Sequence, residues 1–176
     1  MLKKLIVICF LVLCIAGPAT CLAASADDNS LAAVALYIDT SGRYVPGAEL
    51  LNKALNEVIR FKVNALFMGS EVQSGNEVLR DLNRCSVNGA AGATPENLSA
   101  YAASRHVNYI VLISVRPIDV AIDIKTYSTA DNAFLIDKSV TRPDGREAQS
   151  TLDSLTEMVG NEITAILQAI QALQGS

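Results

Sequence analysis

Short apolar runs alternate along the chain with segments whose apolar residues recur every three or four positions. Leu31 to Asp39 (LAAVALYID) is such a run, released at Thr40-Ser41-Gly42, which is the profile of a strand buried on both faces. From Gly47 to Phe61, Leu50, Leu51, Ala54, Leu55, Val58 and Ile59 recur at helical offsets, with Asn52, Lys53, Asn56, Glu57 and Arg60 opposite them. This spacing predicts an amphipathic helix. Val63 to Phe67, extending toward Val72 past Gly69, reads as a second strand, and Asn76 to Cys85 as a short helix with Val78, Leu79, Leu82 and Cys85 on one side. Ser86 to Thr94 (SVNGAAGAT) is rich in glycine and alanine and reads as a flexible loop.

Thr94-Pro95-Glu96 marks the start of the next helix. Threonine caps free amides, proline at the first helical position has no N–H to leave unpaired, and glutamate suits the positive end of the dipole. This helix turns Leu98, Tyr101 and Ala102 inward, and Tyr109 to Val115 (YIVLISV) then reads as the central strand. Beyond Arg116-Pro117, Val120, Ile122, Ile124 and Thr126 alternate with Ala121, Asp123, Lys125 and Tyr127. After a polar loop at Ser128 to Asn132, Phe134, Ile136, Lys138 and Val140 alternate with Leu135, Asp137 and Ser139. These two segments continue the sheet as an antiparallel meander with one buried face. Arg142-Pro143-Asp144-Gly145-Arg146 carries turn residues. The closing helix, about Gln149 to Leu173, has the stripe Leu152, Leu155, Met158, Val159, Ile163, Ile166, Leu167, Ile170 and Leu173, and Gln171 to Ser176 should fray. The order β-α-β-α-α-β-β-β-α predicts an α/β fold: one mixed sheet of about five strands with helices packed on it.

The first 26 residues stand apart. Lys3 and Lys4 precede the apolar run Leu5 to Ala16, Gly17-Pro18 breaks it, and small residues follow, with Ala24-Ser25-Ala26 placed for cleavage before Asp27. This is the order of a secretory signal peptide, too short in its apolar part for the roughly 20 residues of a permanent span. The residues before Cys21 and Cys14 do not make a lipidation motif. The domain is then residues 27–176, extracytoplasmic, with no transmembrane segment. Losing Lys3 and Lys4 takes the 14 basic residues to 12 against 18 acidic ones, a net charge of −6 that speaks against nucleic-acid binding. Of four cysteines only Cys85 remains, so no internal disulfide forms, and it reads as a small buried hydrophobe.

The first strand with its Gly turn, the amphipathic helix, the second strand, and the helix running into LSAYAASRHVNYIVLISVRP before further strands and a long helix resemble the amino-terminal domain of TolB. That fold is shared by the curli secretion lipoprotein CsgG and the penicillin-binding-protein activator LpoB. The resemblance covers roughly residues 33–172. It implies a bacterial cell-envelope protein that is not an enzyme and acts as an adaptor, oligomerising subunit or activator. The chain lacks TolB's propeller and the lipoproteins' lipobox, and no functional residue carries over.

Candidate chemistry is sparse. One histidine, His106, reads as an exposed turn residue, and with a single mature cysteine no zinc site of the usual ligand types assembles. No catalytic residues, metal site or cofactor are expected, and no phosphate loop of the Gly-Lys-Ser/Thr kind is present. Asp39, Thr40, Ser41 and Arg43, after the first strand, form the candidate small-ligand or hydrolase site, against the simpler reading of a turn capped by side-chain oxygens. Asp123 and Asp137 read as cross-strand partners of lysines. Arg116, Arg142, Asp144 and Arg146 form a candidate protein-contact knuckle. The expected function is that of an exported binding or adaptor domain whose partners are envelope proteins or a second copy. Mass spectrometry of the exported protein should give an unmodified amino terminus at Asp27, whereas a lipid-modified Cys21 would contradict this reading of the leader.

Overall fold

The computed structural model describes residues 30–67, 72–145 and 148–174, so the leader, its cleavage positions and Arg146 lie outside the described residues. Strand β1 (Ser30–Ile38) lies between β2 (Val72–Ser74) and β3 (Val107–Arg116), parallel to both. From β3 the sheet continues antiparallel through β4 (Ala121–Ser128) and β5 (Ala133–Thr141), giving the order β2-β1-β3-β4-β5. Residue by residue, β1 and β3 pair from Ser30 with Val107 to Ile38 with Val115. Both are covered on two faces, which is why neither shows alternation in its sequence.

Four helices in the described residues cover the two faces. Helices α1 (Ala48–Phe67) and α4 (Thr151–Gln174) lie on the face carrying Ala32, Val34, Leu36, Val111, Ile113, Val115, Ile122 and Ile124. The opposite face carries Ala33, Ala35, Ile110, Leu112 and Tyr127. It receives Val78 and Leu82 of α2 (Asn76–Arg84) and Leu98, Tyr101 and Ala102 of α3 (Pro95–Arg105). Thr94 caps α3, its Oγ1 accepting from the Asn97 amide at 3.4 Å, and His106 ends it at φ 52°. The α/β class and the single mixed five-stranded sheet are those the sequence predicts.

The second strand is the main departure. Val63 to Phe67 belongs to α1, because Leu51, Leu55, Ile59, Val63 and Phe67 form one four-residue series, all buried. A helix-length stripe outweighs the modest helix penalty of a single valine, which is a fraction of about 1 kcal/mol. The strand comes later and is only three residues long. In β5 the alternation is interrupted by a bulge: Thr126 pairs with Ile136 but Tyr127 with Phe134, so Leu135 is the extra residue and Phe134 changes face. Phe134 meets Tyr127 edge-on, with ring centroids 6.0 Å apart, while Ile136 and Val140 pack toward α4. Tyr127, grouped by alternation with Asp123 and Lys125, is buried. The last helix continues to Gln174, and Gln171 donates to the Leu66 carbonyl at 3.1 Å instead of fraying.

Helices α1 and α4 run in the same direction: Leu50 lies near Leu152 at one end and Leu66 near Gln171 at the other. Gly160 sits where they cross, and a Cβ there would be 3.4 Å from Val58 Cγ1 and 3.7 Å from Lys62 Cε. Alanine fits at the edge of ordinary contact and removes glycine's helix penalty, a gain of up to about 1 kcal/mol. Leucine overpacks the crossing and should cost about 1–3 kcal/mol. Chemical denaturation of Gly160→Ala and Gly160→Leu checks this opposition of sign.

Candidate functional site

The loop after β1 stands at the carboxyl ends of β1 and β3; α1 follows it on one face of the sheet, and the connection between α2 and α3 reaches the same end on the other face. Open α/β sheets bind ligands in the crevice outside the carboxyl ends of their strands. Here the crevice measures about 460 Å³. Its walls are Tyr37 to Gly42 from the end of β1, Ser86, Asn88, Gly89, Ala91 and Gly92 from the connection between α2 and α3, and Ser114 and Asp123 from β3 and β4. A trough of similar size beside α1 is lined by solvated helix side chains that pair among themselves, Asn56 with Asn52 and Arg60 with Glu57.

The glycine-rich wall is fixed to the sheet, contrary to the flexible loop its composition suggests. Ser114, a hydroxyl within the most apolar strand, accepts from the Ala90 amide at 2.8 Å in a buried bond. Tyr37 donates to the Val87 carbonyl at 3.0 Å. Val87, Ala90 and Ala93 are buried beneath the loop and supply its apolar anchorage. Gly89 adopts φ 146°, and a Cβ there would come within 3.3 Å of Ser114 Oγ, so the close approach requires glycine. Burial pushes Tyr37 up to about 12 and moves Tyr101 upward as well, with the nearby Cys85 and Tyr37 adding to the latter shift.

Across the crevice, Asp39 accepts from the Ser41 amide at 2.8 Å and lies 3.4 Å from its hydroxyl. This is the capped turn that the simpler sequence reading described, and it also forms one lip of the crevice. Asp39, Thr40 and Ser41 line the cavity as a group, whereas Arg43 is exposed beyond its lining residues. Asp123 is held by Arg116, whose Nε donates at 2.8 Å and Nη2 at 3.3 Å; Arg116 also reaches Asp119 at 2.6 Å and Ser139 at 3.1 Å. Those hydrogen bonds, that to Asp123 foremost, hold the Arg116 guanidinium protonated above its ordinary range. Of the contact residues expected from the sequence, Arg116 is engaged within the meander, Arg142 is half-buried with its amide bonded to Val120, Asp144 is exposed, and Arg146 lies outside the described residues. Lys125 does pair with Asp137, at 3.4 Å, while Lys138 faces α4 and pairs with Glu162 at 2.6 Å. His106 is exposed at the amino-terminal end of β3, away from the crevice, and Cys85 is half-buried against the second core.

On the other side of the same loop lies an apolar groove of about 240 Å³, lined by Val45, Pro46, Leu50, Leu51, Pro117 and Leu152 among others. Sequence periodicity assigned Leu50 and Leu152 to core stripes, yet they are 65% and 38% exposed. Tyr44, at 90%, and Ile118, at 47%, stand beside it. Leu50 lies one position off the buried series that starts at Leu51, and Leu152 precedes Leu155, the first buried leucine of α4. Compared with protein-family models, curated proteins and solved structures, the chain gives no match in any of the three.

Replacing Ser114 by alanine leaves the buried Ala90 amide unpaired, which should cost about 1–3 kcal/mol and accelerate hydrogen exchange at Ala90 well beyond that of the neighbouring strand. Alkaline stability tests the Tyr37 contact. The folded state keeps Tyr37 protonated to about pH 12 while an exposed tyrosine releases its proton near 10, so the unfolded chain binds fewer protons in between. The contribution is complete below pH 10 and is lost as pH rises from about 10 to about 12; denaturation of Tyr37→Phe over that window should show a shallower decline.

Proposed function

We propose that this protein is an exported, non-catalytic binding domain of the bacterial cell envelope that acts through protein contacts. The observation that carries the proposal is the exposed apolar surface around the groove at the amino-terminal ends of α1 and α4. Clustered exposed apolar residues with a polar surround are characteristic of interaction sites, and an exposed tyrosine is a common anchor. The secretory pattern of the leader, the acidic charge and the resemblance of the element order to TolB-like envelope domains support the same reading. The crevice brings together carboxylates and hydroxyls with Asp123 already engaged by Arg116, an arrangement suited to holding polar groups in place.

A second reading rests on a different observation, the crevice itself with its anchored glycine-rich wall. It serves as a site for a small polar ligand, with Asp39, Thr40 and Ser41 on one side and the loop amides on the other. Substitution separates the two readings. Leu152→Asp should remove a partner recovered by crosslinking in intact envelopes while leaving the thermal transition near that of the parent, because Leu152 is largely outside the core. Loss of the partner in Asp39→Asn and Ser41→Ala variants, with Leu152→Asp unaffected, would move the function to the crevice.

A further inference from the structure

The groove has a protruding group of matching chemistry next to it. Between the residues that line the crevice and those that line the groove, the loop after β1 presents Arg43 and Tyr44, both exposed, with Tyr44 the most exposed large hydrophobic residue described. The groove volume of about 240 Å³ accommodates an aromatic side chain, and its lining of valine, proline and leucine offers flat apolar walls. Its α4 flank is acidic: Asp153, in the first turn of that helix, is exposed beside Leu152, while Glu49 in the first turn of α1 lines the neighbouring trough. Asp153 accepts from Ser150 at 2.6 Å and keeps an outward carboxylate edge. Lys53, one turn beyond Glu49, is the nearest basic residue on α1.

A basic-aromatic projection and an apolar groove with an acidic flank on one surface are the two halves of an isologous contact, in which each copy gives the projection and receives it. We propose that a second copy of this chain occupies the groove: Tyr44 of each protomer enters the groove of its partner, and Arg43 meets the acidic flank. The inference rests on the reading of the groove as a protein contact and names the partner. Two tyrosines burying about 150–250 Å² each, with the facing walls, make an interface smaller than the roughly 1,200 Å² of standard stable complexes. Interfaces of this size are typical of weak, reversible encounters.

Sedimentation velocity of the processed protein over a concentration series up to millimolar tests the proposal. The expected result is a reversible monomer–dimer equilibrium, weakened at least about tenfold by Tyr44→Ala with no change in thermal transition. Arg43→Glu should weaken it roughly twofold to fivefold, and Arg43→Glu combined with Asp153→Arg should restore it. A parent protein that stays monomeric at millimolar concentration, or a dimer indifferent to Tyr44→Ala, overturns the second-copy assignment. If the parent is monomeric while Leu152→Asp still abolishes a crosslinked envelope complex, the contact reading stands and only its occupant changes; if neither association nor complex responds, both fail.

Discussion

The parallel pairing of β1 with β3 is the constraint on which the rest of the structure depends. It runs the full length of β1, buries both strands on two faces, and sends the connections on either side of β2 over opposite faces of the sheet. Because α1 covers one face and the connection between α2 and α3 reaches the carboxyl ends of β1 and β3 on the other, a crevice forms there without any special loop insertion. The same pairing fixes the vertical position of Ser114 opposite Tyr37, so the two side chains that fasten the glycine-rich wall come from adjacent positions in one register. A change in that register would cost two buried hydrophobic faces, each side chain being worth about 1.5–3 kcal/mol. The crevice therefore inherits the rigidity of the core.

The loop from Asp39 to Gly47 divides the end of the molecule where β1 and β3 finish. Its first residues form a lip of the polar crevice, its last residues a wall of the apolar groove, and Arg43 and Tyr44 project between them. Opposite ends of the sheet thus differ in character. At the far end, Gln73 bridges Ser30 to the Arg105 carbonyl, and the buried Asp81 carboxylate is surrounded by Arg80, Arg84 and Arg105. Those arginines satisfy a charge that burial would otherwise make costly. The near end keeps its apolar side chains uncovered.

Much of the framework was legible in the sequence because the relevant signals are local. Thr94-Pro95 places the start of α3, the unbroken YIVLISV run marks the central strand, and alternation across Ile122, Asp123 and Ile124 gives the meander. Val63 to Phe67 misled because a five-residue segment with four apolar positions satisfies either period, and only its spacing from Leu51, Leu55 and Ile59 decides for a helix. Leu135 misled because nothing in its own side chain announces a bulge. Of the site, Asp39 to Ser41 was legible as polar groups at the end of a strand. The other walls were not, since the glycine-rich loop and Asp123 join them only through the tertiary register. Ser114 was the available signal: a lone hydroxyl in an apolar strand has to find a partner. The groove was hidden by its own pattern, as Leu50 and Leu152 keep helical spacing with core residues while Leu50 lies off the buried series and Leu152 precedes the first buried leucine of its helix.

The central claim is that this protein binds through the end of the sheet where β1 and β3 finish. Site-specific photo-crosslinking in intact envelopes tests it most directly, with the reactive group placed at Leu50 in one variant and at His106, at the opposite end, in another. Discrete crosslinked products from Leu50 and none from His106 are the predicted result. Equal labelling from both positions, or products from His106 alone, would contradict the account.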